Sequence, residues 1–182
     1  MNIVIPRIDH NERVISLAPA PFAVREAVIG VLDNGKPFSD VLLPAIAQNL
    51  IELGVGKSYF VIRKAAGAAF PVSESERSEM LARAHMVVTG VGDCGGCTAC
   101  SVTDALEFEE NGLPATVVIT EVFKAVASNL AAAMGAPGYH SLTTEHPIFG
   151  RSPEWMNDAA KKAALTARDH LLLGGDICRP EP

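Results

Sequence analysis

Three of the chain's four cysteines fall within seven positions, in the segment "GVGDCGGCTAC", where they are Cys94, Cys97 and Cys100. Cysteines at this spacing can act as redox-active thiols, or as ligands of a metal ion or an iron–sulfur cluster. The three glycines from Gly90 to Gly95 also match the G-x-G-x-x-G spacing of a dinucleotide-binding turn. The segment therefore has three chemical interpretations.

The dinucleotide interpretation has the least support. The segment follows the third predicted strand instead of the first, and no acidic residue closes a strand about twenty positions later, where it would contact the ribose. Glu121 comes 29 positions after Gly92. Glycines also serve tight turns and close backbone approach, so nicotinamide or flavin binding is not the favoured interpretation.

A metal site is the second interpretation. Cys94, Cys97 and Cys100 can place three thiolates on one zinc ion or one [4Fe–4S] cluster, with Cys178, a histidine or a substrate as the fourth ligand. The sequence has no second pair of cysteines or of cysteine and histidine, which disfavours a closed structural zinc site. An open metal or cluster site on the three cysteines remains an alternative.

The third interpretation is thiol redox catalysis. Cys94-Gly-Gly-Cys97 precedes a predicted helix, whose free N–H groups and dipole favour a thiolate. Such a position lowers a cysteine pKa by roughly one to five units, and two intervening glycines allow the close approach that a disulfide needs. Cys94 would be the nucleophile and Cys97 the resolving thiol. The spacing alone favours redox over metal chemistry by a small margin.

Alternating strands and helices must position this segment. Apolar and β-branched runs predict strands, and apolar residues at helical spacing predict helices between them. We expect a doubly wound, mostly parallel sheet of 4–5 strands with helices on both faces, a Rossmann-like three-layer α/β fold. The predicted strands are 27–34, 58–64, 86–92, 115–120 and a short edge strand at 140–144; helices are expected at 40–53, after the capping box 73–76, at 97–111, from 122 to 134 and from 152 to about 173.

Ligands bind at the carboxyl ends of the strands in such a fold, and several polar side chains follow predicted strands there. His146 is a candidate acid, base or substrate contact, because an imidazole titrates near neutral pH. Lys36 and Lys64 are candidate contacts for an anion. The predicted substrate-binding residues that come directly from strand ends are Asp33, Asn34, Lys36, Lys64 and Glu121.

Composition narrows the class of protein. The 182 residues are 48% hydrophobic and carry a formal net charge of −6, which argues against a nucleic-acid or anionic-membrane partner. No apolar run could span a bilayer and no signal peptide is evident, so we expect a cytoplasmic protein. We expect an N-terminal arm at 1–27, one α/β domain at 28–182, and a homo-oligomer.

The residues around the cysteines resemble the UGSC family, named for a selenocysteine-Gly-Ser-Cys motif. The segment "TGVGDCGGCTACSVTDALEFEENGLPATVVITEVF" carries the resemblance, together with "VLDNGKP" (31–37), Lys64 and "EHPIFGRSPEW" (145–155). It extends over roughly 28–173. That family is similar to the selenoprotein B component of glycine, sarcosine and betaine reductases.

The resemblance implies a compact α/β domain in which Cys94 occupies the selenocysteine position. Glycine-type reductases cleave a C–N bond reductively: the selenol displaces the amine, and a thiol resolves the adduct. Carried over, Cys94 attacks and Cys97 resolves, while Thr98 and the amides of residues 95–98, including Gly95 and Gly96, line the anion's pocket. This chain departs from the motif in having sulfur for selenium, Gly96 for serine, and Cys100 in addition. The complexed reductases also use a pyruvoyl partner.

The favoured hypothesis is a thiol-dependent reductase acting on a small-molecule substrate, with Cys94, Cys97, Cys100 and His146 in the active site. A thioredoxin-like protein or a low-molecular-weight thiol would supply electrons. The hypothesis needs no cofactor; the alternative places zinc or an iron–sulfur cluster on the three cysteines. A second alternative is a thiol-carrier subunit of a larger reductase.

Overall fold

Five parallel strands form one sheet in the computed structural model, which describes residues 14–173. The spatial order is β2-β1-β3-β4-β5, and every neighbouring pair is parallel. This is the flavodoxin-like order, in which the chain reverses direction across the sheet between β1 and β3. The strands are β1 (Val28–Asp33), β2 (Ser58–Arg63), β3 (Met86–Gly92), β4 (Ala115–Thr120) and β5 (Leu142–Thr144).

The central strands have the sequences that their positions require. Every residue of β3 (MVVTGVG) and β4 (ATVVIT) is buried, because helices cover both faces of the sheet there. The edge strand β2 alternates instead, and its Tyr59 and Val61 remain exposed. Unbroken apolar runs therefore mark the middle of the sheet.

Helices form the two outer layers. α1 and α5 pack together on one face, over a core that includes Leu43, Ile46 and Ala160. α2, α3 and α4 cover the other face, around Met80, Leu106 and other apolar side chains. The helices are α1 (Ser39–Glu52), α2 (Glu74–Arg83), α3 (Gly95–Glu110), α4 (Lys124–Ala133) and α5 (Pro153–Leu173).

The predicted α/β architecture is confirmed, with three refinements. The sheet is wholly parallel, and its edge strand β5 comprises only the three residues Leu142–Thr144. α3 begins at Gly95, two residues earlier than the pattern indicated, because Cys94 caps it. The capping box predicted at α2 is present, with Ser73 and Glu76 bonding reciprocally.

The described part of the predicted arm lies against the domain. Ile15 and Ala18 are buried, and the Ile15 amide donates to the Gly135 carbonyl (2.8 Å). Residues 1–13 and Cys178 lie outside the described residues. None of the helices within 14–173 is both long and apolar enough to cross a membrane.

Candidate functional site

The candidate site lies where β1 and β3 end side by side, at the point where the strand order reverses. Close packing there depends on glycine. A Cβ on Gly92 would lie 2.8 Å from both Ile119 Cγ2 and Thr98 Oγ1, and one on Gly90 would lie 2.6 Å from the Val118 carbonyl oxygen. Gly90 also has a φ of +133°, which L side chains rarely adopt. The packing of β3 therefore requires glycine at both positions.

Cys94 and Cys97 form a disulfide at the start of α3, with Cα atoms 5.3 Å apart. Cys94 is the N-cap residue, and its Sγ accepts a hydrogen bond from the Cys97 amide (3.1 Å). Cys94 is partly exposed, whereas Cys97 is buried. A small molecule or a second protein can therefore approach the first sulfur more easily than the second.

Among the residues that the structure describes, none covers the first turn of α3 on its outer side. Gly95 and Gly96 are exposed, and a Cβ on either would meet no atom within 4 Å. The first N–H groups of a helix have no partner within the helix and attract negative charge. The two glycines thus leave polar backbone open beside Cys94.

Lys36 and Asp93 form the wall of the site on the β1 side. Lys36 Nζ lies 2.9 Å from Asp93 Oδ1, a charge contact whose angle is not that of a hydrogen bond. Both side chains are partly exposed, at 25% and 17%. The predicted anion contact Lys36 therefore lies beside the residue that precedes Cys94, and an anionic ligand would compete with Asp93 for it.

Asp93 also lies close to both sulfurs of the disulfide. Within residues 14–173, one group of three metal-ligating side chains has its donor atoms within 4.8 Å of one another: Asp93, Cys94 and Cys97. Cys100 does not belong to this group. The structure therefore assembles a carboxylate with two sulfurs, instead of the three thiolates that the spacing indicated.

Cys100 faces a different environment, one turn further along α3. Its free thiol is half-buried, and burial raises the pKa of Cys100, against the opposing effect of the Lys64 ammonium. Lys64 Nζ is fully buried and donates to Asp104 Oδ2 and to the Phe70 carbonyl, both at 2.5 Å. The sequence predicted that Lys64 contacts substrate; the structure makes it the buried partner of Asp104.

Asn34 and Thr98 are also internal. Asn34 is fully buried, and its Nδ2 donates to the Val91 carbonyl (2.9 Å) and to Ser101 Oγ (3.1 Å), which ties the turn after β1 to β3 and α3. Thr98 is fully buried beneath Gly92. Both side chains were predicted to contact substrate, but burial leaves neither accessible. Asn34 ties the turns together, whereas Thr98 Oγ1 has no hydrogen-bond partner in the described part of the chain.

Asp33 stabilises the start of α1. Its Oδ1 accepts hydrogen bonds from the Gly35 amide (2.8 Å) and from the Ser39 hydroxyl, and its Oδ2 lies 3.4 Å from Arg63 Nη1. Because Asp33 is only 1% exposed, little of the carboxylate is left for a ligand. Of the three polar residues predicted in this turn, Lys36 is the accessible one.

His146 is connected to the cysteine turn through one hydroxyl. His146 Nδ1 lies 3.1 Å from Thr120 Oγ1, which in turn donates to the Gly92 carbonyl (3.4 Å). The His146 ring is exposed and has an edge-on contact with Phe123. The histidine predicted as an acid or base is thus anchored at the carboxyl edge of the sheet, with part of its ring open to solvent.

Glu121 lines a separate pocket. This pocket has a volume of about 190 Å³ and lies between the ends of β4 and β5 and α5, where Glu145, Trp155 and Asp158 also line it. The pocket lining includes neither cysteine of the disulfide. Glu121 is therefore a candidate for binding at this second place and is not assembled with the thiols.

The sequence interpretation passed over Asp93, Asp104 and Thr120. Asp93 could have been found, since it directly precedes Cys94 at a strand end. Asp104 lies four positions after Cys100 and so on the same face of α3, but its partner Lys64 is 40 residues away. Thr120 is the last residue of β4, and its place at a strand end is the one feature of the sequence that could have indicated a role.

The architecture and the paired cysteines define a doubly wound α/β protein with a thiol pair at its strand-order reversal. The chain belongs to the UGSC family, whose sequence model matches residues 2–173. No protein with a curated description matches it in sequence. The similarity of this family to the selenoprotein B component of glycine-type reductases stays a prediction.

Solved structures of similar fold come from flavoproteins and an oxidoreductase. A diflavin flavoprotein from Nostoc sp. is 17% identical over 80% of this chain and 96% of that chain, with a TM-score of 0.44. A flavodiiron core from Synechocystis sp. is 12% identical over 81% and 36%, with a TM-score of 0.45. An oxidoreductase from Corynebacterium diphtheriae is 15% identical over 85% and 97%, with a TM-score of 0.46. These similarities are too distant to transfer a ligand or an activity.

Proposed function

We propose that this chain is a thiol-dependent oxidoreductase in which Cys94 attacks a small, activated substrate and Cys97 resolves the adduct. The observation that carries the proposal is the Cys94–Cys97 disulfide at the start of α3, where the first sulfur is partly exposed and the second is buried. Strand ends at a reversal of strand order are where doubly wound proteins bind ligands.

The reaction consumes one dithiol for each substrate molecule. The Cys94 thiolate forms a sulfur–carbon bond and displaces an amine or another leaving group, which departs with the bonding electron pair and takes up a proton. The Cys97 thiolate then attacks Cys94 Sγ, so that the sulfur–carbon bond breaks and the carbon leaves as a carbanion, which is protonated. The substrate gains two electrons, and the cysteines end as a disulfide.

Such a leaving carbanion must be stabilised, which favours a substrate with a carbonyl or carboxylate next to the reacting carbon. The open amides at Gly95 and Gly96 and the Lys36 ammonium are suited to hold that negative charge. His146 is the candidate proton donor to the leaving group, because its ring is exposed at the carboxyl edge of the sheet and is connected to the cysteine turn through Thr120 Oγ1. A thioredoxin-like protein or a low-molecular-weight thiol then reduces the disulfide by exchange.

The first experiment measures the reactivity of each thiol in the reduced protein. Iodoacetamide is added in limiting amount near neutral pH, and labelled peptides are quantified by mass spectrometry. We expect Cys94 to be labelled first, because the Cys97 amide and the helix start favour its thiolate, whereas burial raises the pKa of Cys100. Preferential labelling of Cys100 would contradict the proposal.

The second experiment tests the chemistry with small carboxylates and ketones that carry an amino group on the adjacent carbon. In the wild-type protein, a substrate converts the dithiol to the disulfide, seen as the loss of two hydrogens by mass. We expect Cys97→Ser to accumulate a covalent adduct on Cys94, and Cys94→Ser to form neither product. Cys100→Ser is the matched control and should behave as the wild type.

The same substrate assay also distinguishes an enzyme from a thiol carrier. A carrier would exchange its disulfide with a thioredoxin-like partner and oxidise none of the small molecules. Reduction of the Cys94–Cys97 disulfide by such a partner, without any substrate-driven reoxidation, would replace the enzyme hypothesis by that one. Oxidation of Cys94→Ser at the wild-type rate would exclude both.

A metal-dependent function is a second candidate, supported by the donor set Asp93, Cys94 and Cys97. After reduction of the Cys94–Cys97 disulfide, one carboxylate and two thiolates would suit zinc and would leave a fourth position for substrate. Metal and sulfide content and the absorption spectrum of anaerobically purified protein test it. Stoichiometric zinc that is lost in Asp93→Ala would favour this candidate; iron with labile sulfide lost in Cys100→Ser would favour the three-cysteine cluster.

A further inference from the structure

A second polar groove runs along the free edge of the sheet, beside β5 and between α4 and α5. It has a volume of about 270 Å³. Its walls come from elements that do not hold the cysteines: the start of α4, the approach to β5 and the last two turns of α5. The residues that matter are Lys124, Ser128, His140, Ser141, Thr166 and His170.

The groove is lined by hydrogen-bond donors. Lys124 brings an ammonium, the two histidines bring ring N–H groups, and the serines and threonine bring hydroxyls. No carboxylate belongs to the lining of this groove within the described part of the chain, in contrast to the pocket at Glu121, where three line the wall. An anion would meet attraction from Lys124 and donors on several sides.

His170 carries a buried nitrogen that lacks a partner. Its Nδ1 is inaccessible to solvent and makes no hydrogen bond within residues 14–173. The His140 ring lies 5.9 Å away, centroid to centroid. Burial, with a smaller contribution from His140, lowers the pKa of His170, so that the ring is neutral at neutral pH. A buried ring nitrogen without a partner is costly. Because His170 lines the groove, rotation of its ring would bring this nitrogen to a ligand oxygen there.

A transition metal is the other ligand class that two histidines could hold. Within residues 14–173, however, neither histidine has two further ligating side chains near enough to complete a set of three; such a set exists only at Asp93, Cys94 and Cys97. The Lys124 ammonium would also repel a cation. The donor-rich lining is suited to oxygen atoms that carry negative charge.

We propose that the groove between α4, β5 and α5 binds a phosphate-type oxyanion, either inorganic phosphate or the phosphoryl group of a small molecule. The Lys124 ammonium supplies the charge, the His170 ring supplies the buried donor, and the hydroxyls of Ser128, Ser141 and Thr166 complete the coordination. Because the groove uses none of the thiol residues, this site stands independently of the reaction proposed above.

The test is a titration of the full-length protein with inorganic phosphate, with chloride at matched ionic strength as the reference. Histidine ring resonances in nuclear magnetic resonance spectra report directly on His140 and His170. We expect both to shift with a common dissociation constant, while the exposed His85 remains unmoved. The negative charge of bound phosphate should also raise the pKa of His170. Asp169 acts in the same direction, whereas Lys124 and His140 oppose the rise.

Variants distinguish specific binding of phosphate in the groove from its nonspecific attraction to the positive charges of the protein. Lys124→Gln should weaken phosphate binding by about tenfold, the weight of one charge-assisted hydrogen bond. Lys124 is exposed, so the variant should fold normally. Lys161→Gln removes an equal charge from the surface of α5, outside the groove, and should leave the affinity unchanged. His170→Gln should also weaken binding, with folding checked by circular dichroism.

Any of three results would overturn the proposal. The first is the absence of a phosphate-dependent shift at His140 and His170 across the millimolar range. The second is equal weakening by Lys124→Gln and Lys161→Gln, which would reduce the effect to net charge. The third is saturable Zn²⁺ binding at the two histidines without a phosphate effect. Tighter binding of glycerol phosphate than of phosphate would assign the site to a phosphorylated small molecule.

Discussion

The two ends of α3 use polar groups in opposite ways. At its start, Gly95 and Gly96 leave backbone amides uncovered, and Cys94 is partly exposed. At its last turn, Glu109 is 6% exposed, and its carboxylate accepts hydrogen bonds from the Ala18 amide (2.6 Å) and the Ala115 amide (2.7 Å). Backbone amides at the start of the helix are thus available to a ligand, whereas the Glu109 carboxylate at its end is already hydrogen-bonded within the protein.

This difference separates a binding site from an internal brace. Glu109 joins the N-terminal segment to the start of β4, so a ligand would have to break existing bonds to reach it. The exposed amides of Gly95 and Gly96 beside Cys94 can meet a ligand without breaking any. The presence of a titratable side chain is therefore a weaker indication of a site than unused donors and acceptors with access to solvent.

The strongest test of this comparison uses Lys36 and Lys64, both of which the sequence predicts as anion contacts at strand ends. Lys64→Ala leaves the buried Asp104 carboxylate without its counter-charge, and we expect a loss of about 3–5 kcal/mol in the free energy of unfolding. Lys36→Ala removes a partly exposed ion pair, and we expect a loss of less than about 1 kcal/mol. Urea denaturation followed by circular dichroism measures both.

The two variants should diverge in the opposite sense in a functional assay. Lys36→Ala should slow the oxidation of the dithiol by anionic substrates, whereas any effect of Lys64→Ala should follow its loss of fold. Equal losses of stability would mean that the buried pair contributes no more than a surface one. The distinction between Lys64 as a structural residue and Lys36 as a binding residue would then be wrong.

The fold was predictable because its signals are local. β3 and β4 are unbroken apolar runs, α2 has its capping box, and the cysteine turn directly follows a strand, which fixes its edge of the sheet. The cysteine pair was predictable from its spacing for the same reason. Neither inference needs knowledge of distant contacts.

The division of labour among the polar residues was not predictable, because the partners are far apart in the chain. Lys64 meets Asp104 across 40 positions, and Asn34 meets Ser101 across 67. Glu109 reaches Ala18 across 91. From the sequence, a lysine at a strand end that will be buried looks the same as one that will be exposed. Only the packing of helix on sheet decides between them.

The pH dependence of stability tests the buried carboxyl group of Glu109 in the last turn of α3. Burial raises the pKa of Glu109 from 4.5 to about 7, despite the two amides that oppose this shift. Between pH 4.5 and 7, the folded protein therefore holds a proton that the unfolded chain has released, so its stability falls as the pH rises through this window. The shift corresponds to about 3 kcal/mol.

Glu109→Gln isolates this contribution, because the amide cannot ionise but keeps an oxygen that can accept a hydrogen bond. The difference in unfolding free energy between wild type and variant, measured by urea denaturation at several pH values, should decline from pH 4.5 to 7 and then level off. A difference that stays constant over this range would mean that Glu109 titrates as an exposed carboxyl group, and the contrast between the two ends of α3 would be lost.

The smallest expected effects come from the two glycines that flank the cysteine turn. Gly92→Ala would bring a Cβ to 2.8 Å from Ile119 Cγ2 and Thr98 Oγ1, and to 3.0 Å from Thr98 Cα. We expect a loss of about 1–3 kcal/mol from this overpacking. Gly95→Ala meets no atom within 4 Å and restricts the unfolded chain, so we expect a gain of about 0.4–1 kcal/mol.

Gly95→Ala then sharpens the comparison, because it changes access to the site without loosening the fold. A methyl group at this position covers part of the surface over which a ligand would approach Cys94, so labelling of the reduced protein by iodoacetamide should slow while the melting temperature rises. Gly92→Ala should lower the melting temperature. If both variants lowered it, the start of α3 would be as closely packed as its end, and the open amides beside Cys94 would no longer distinguish it.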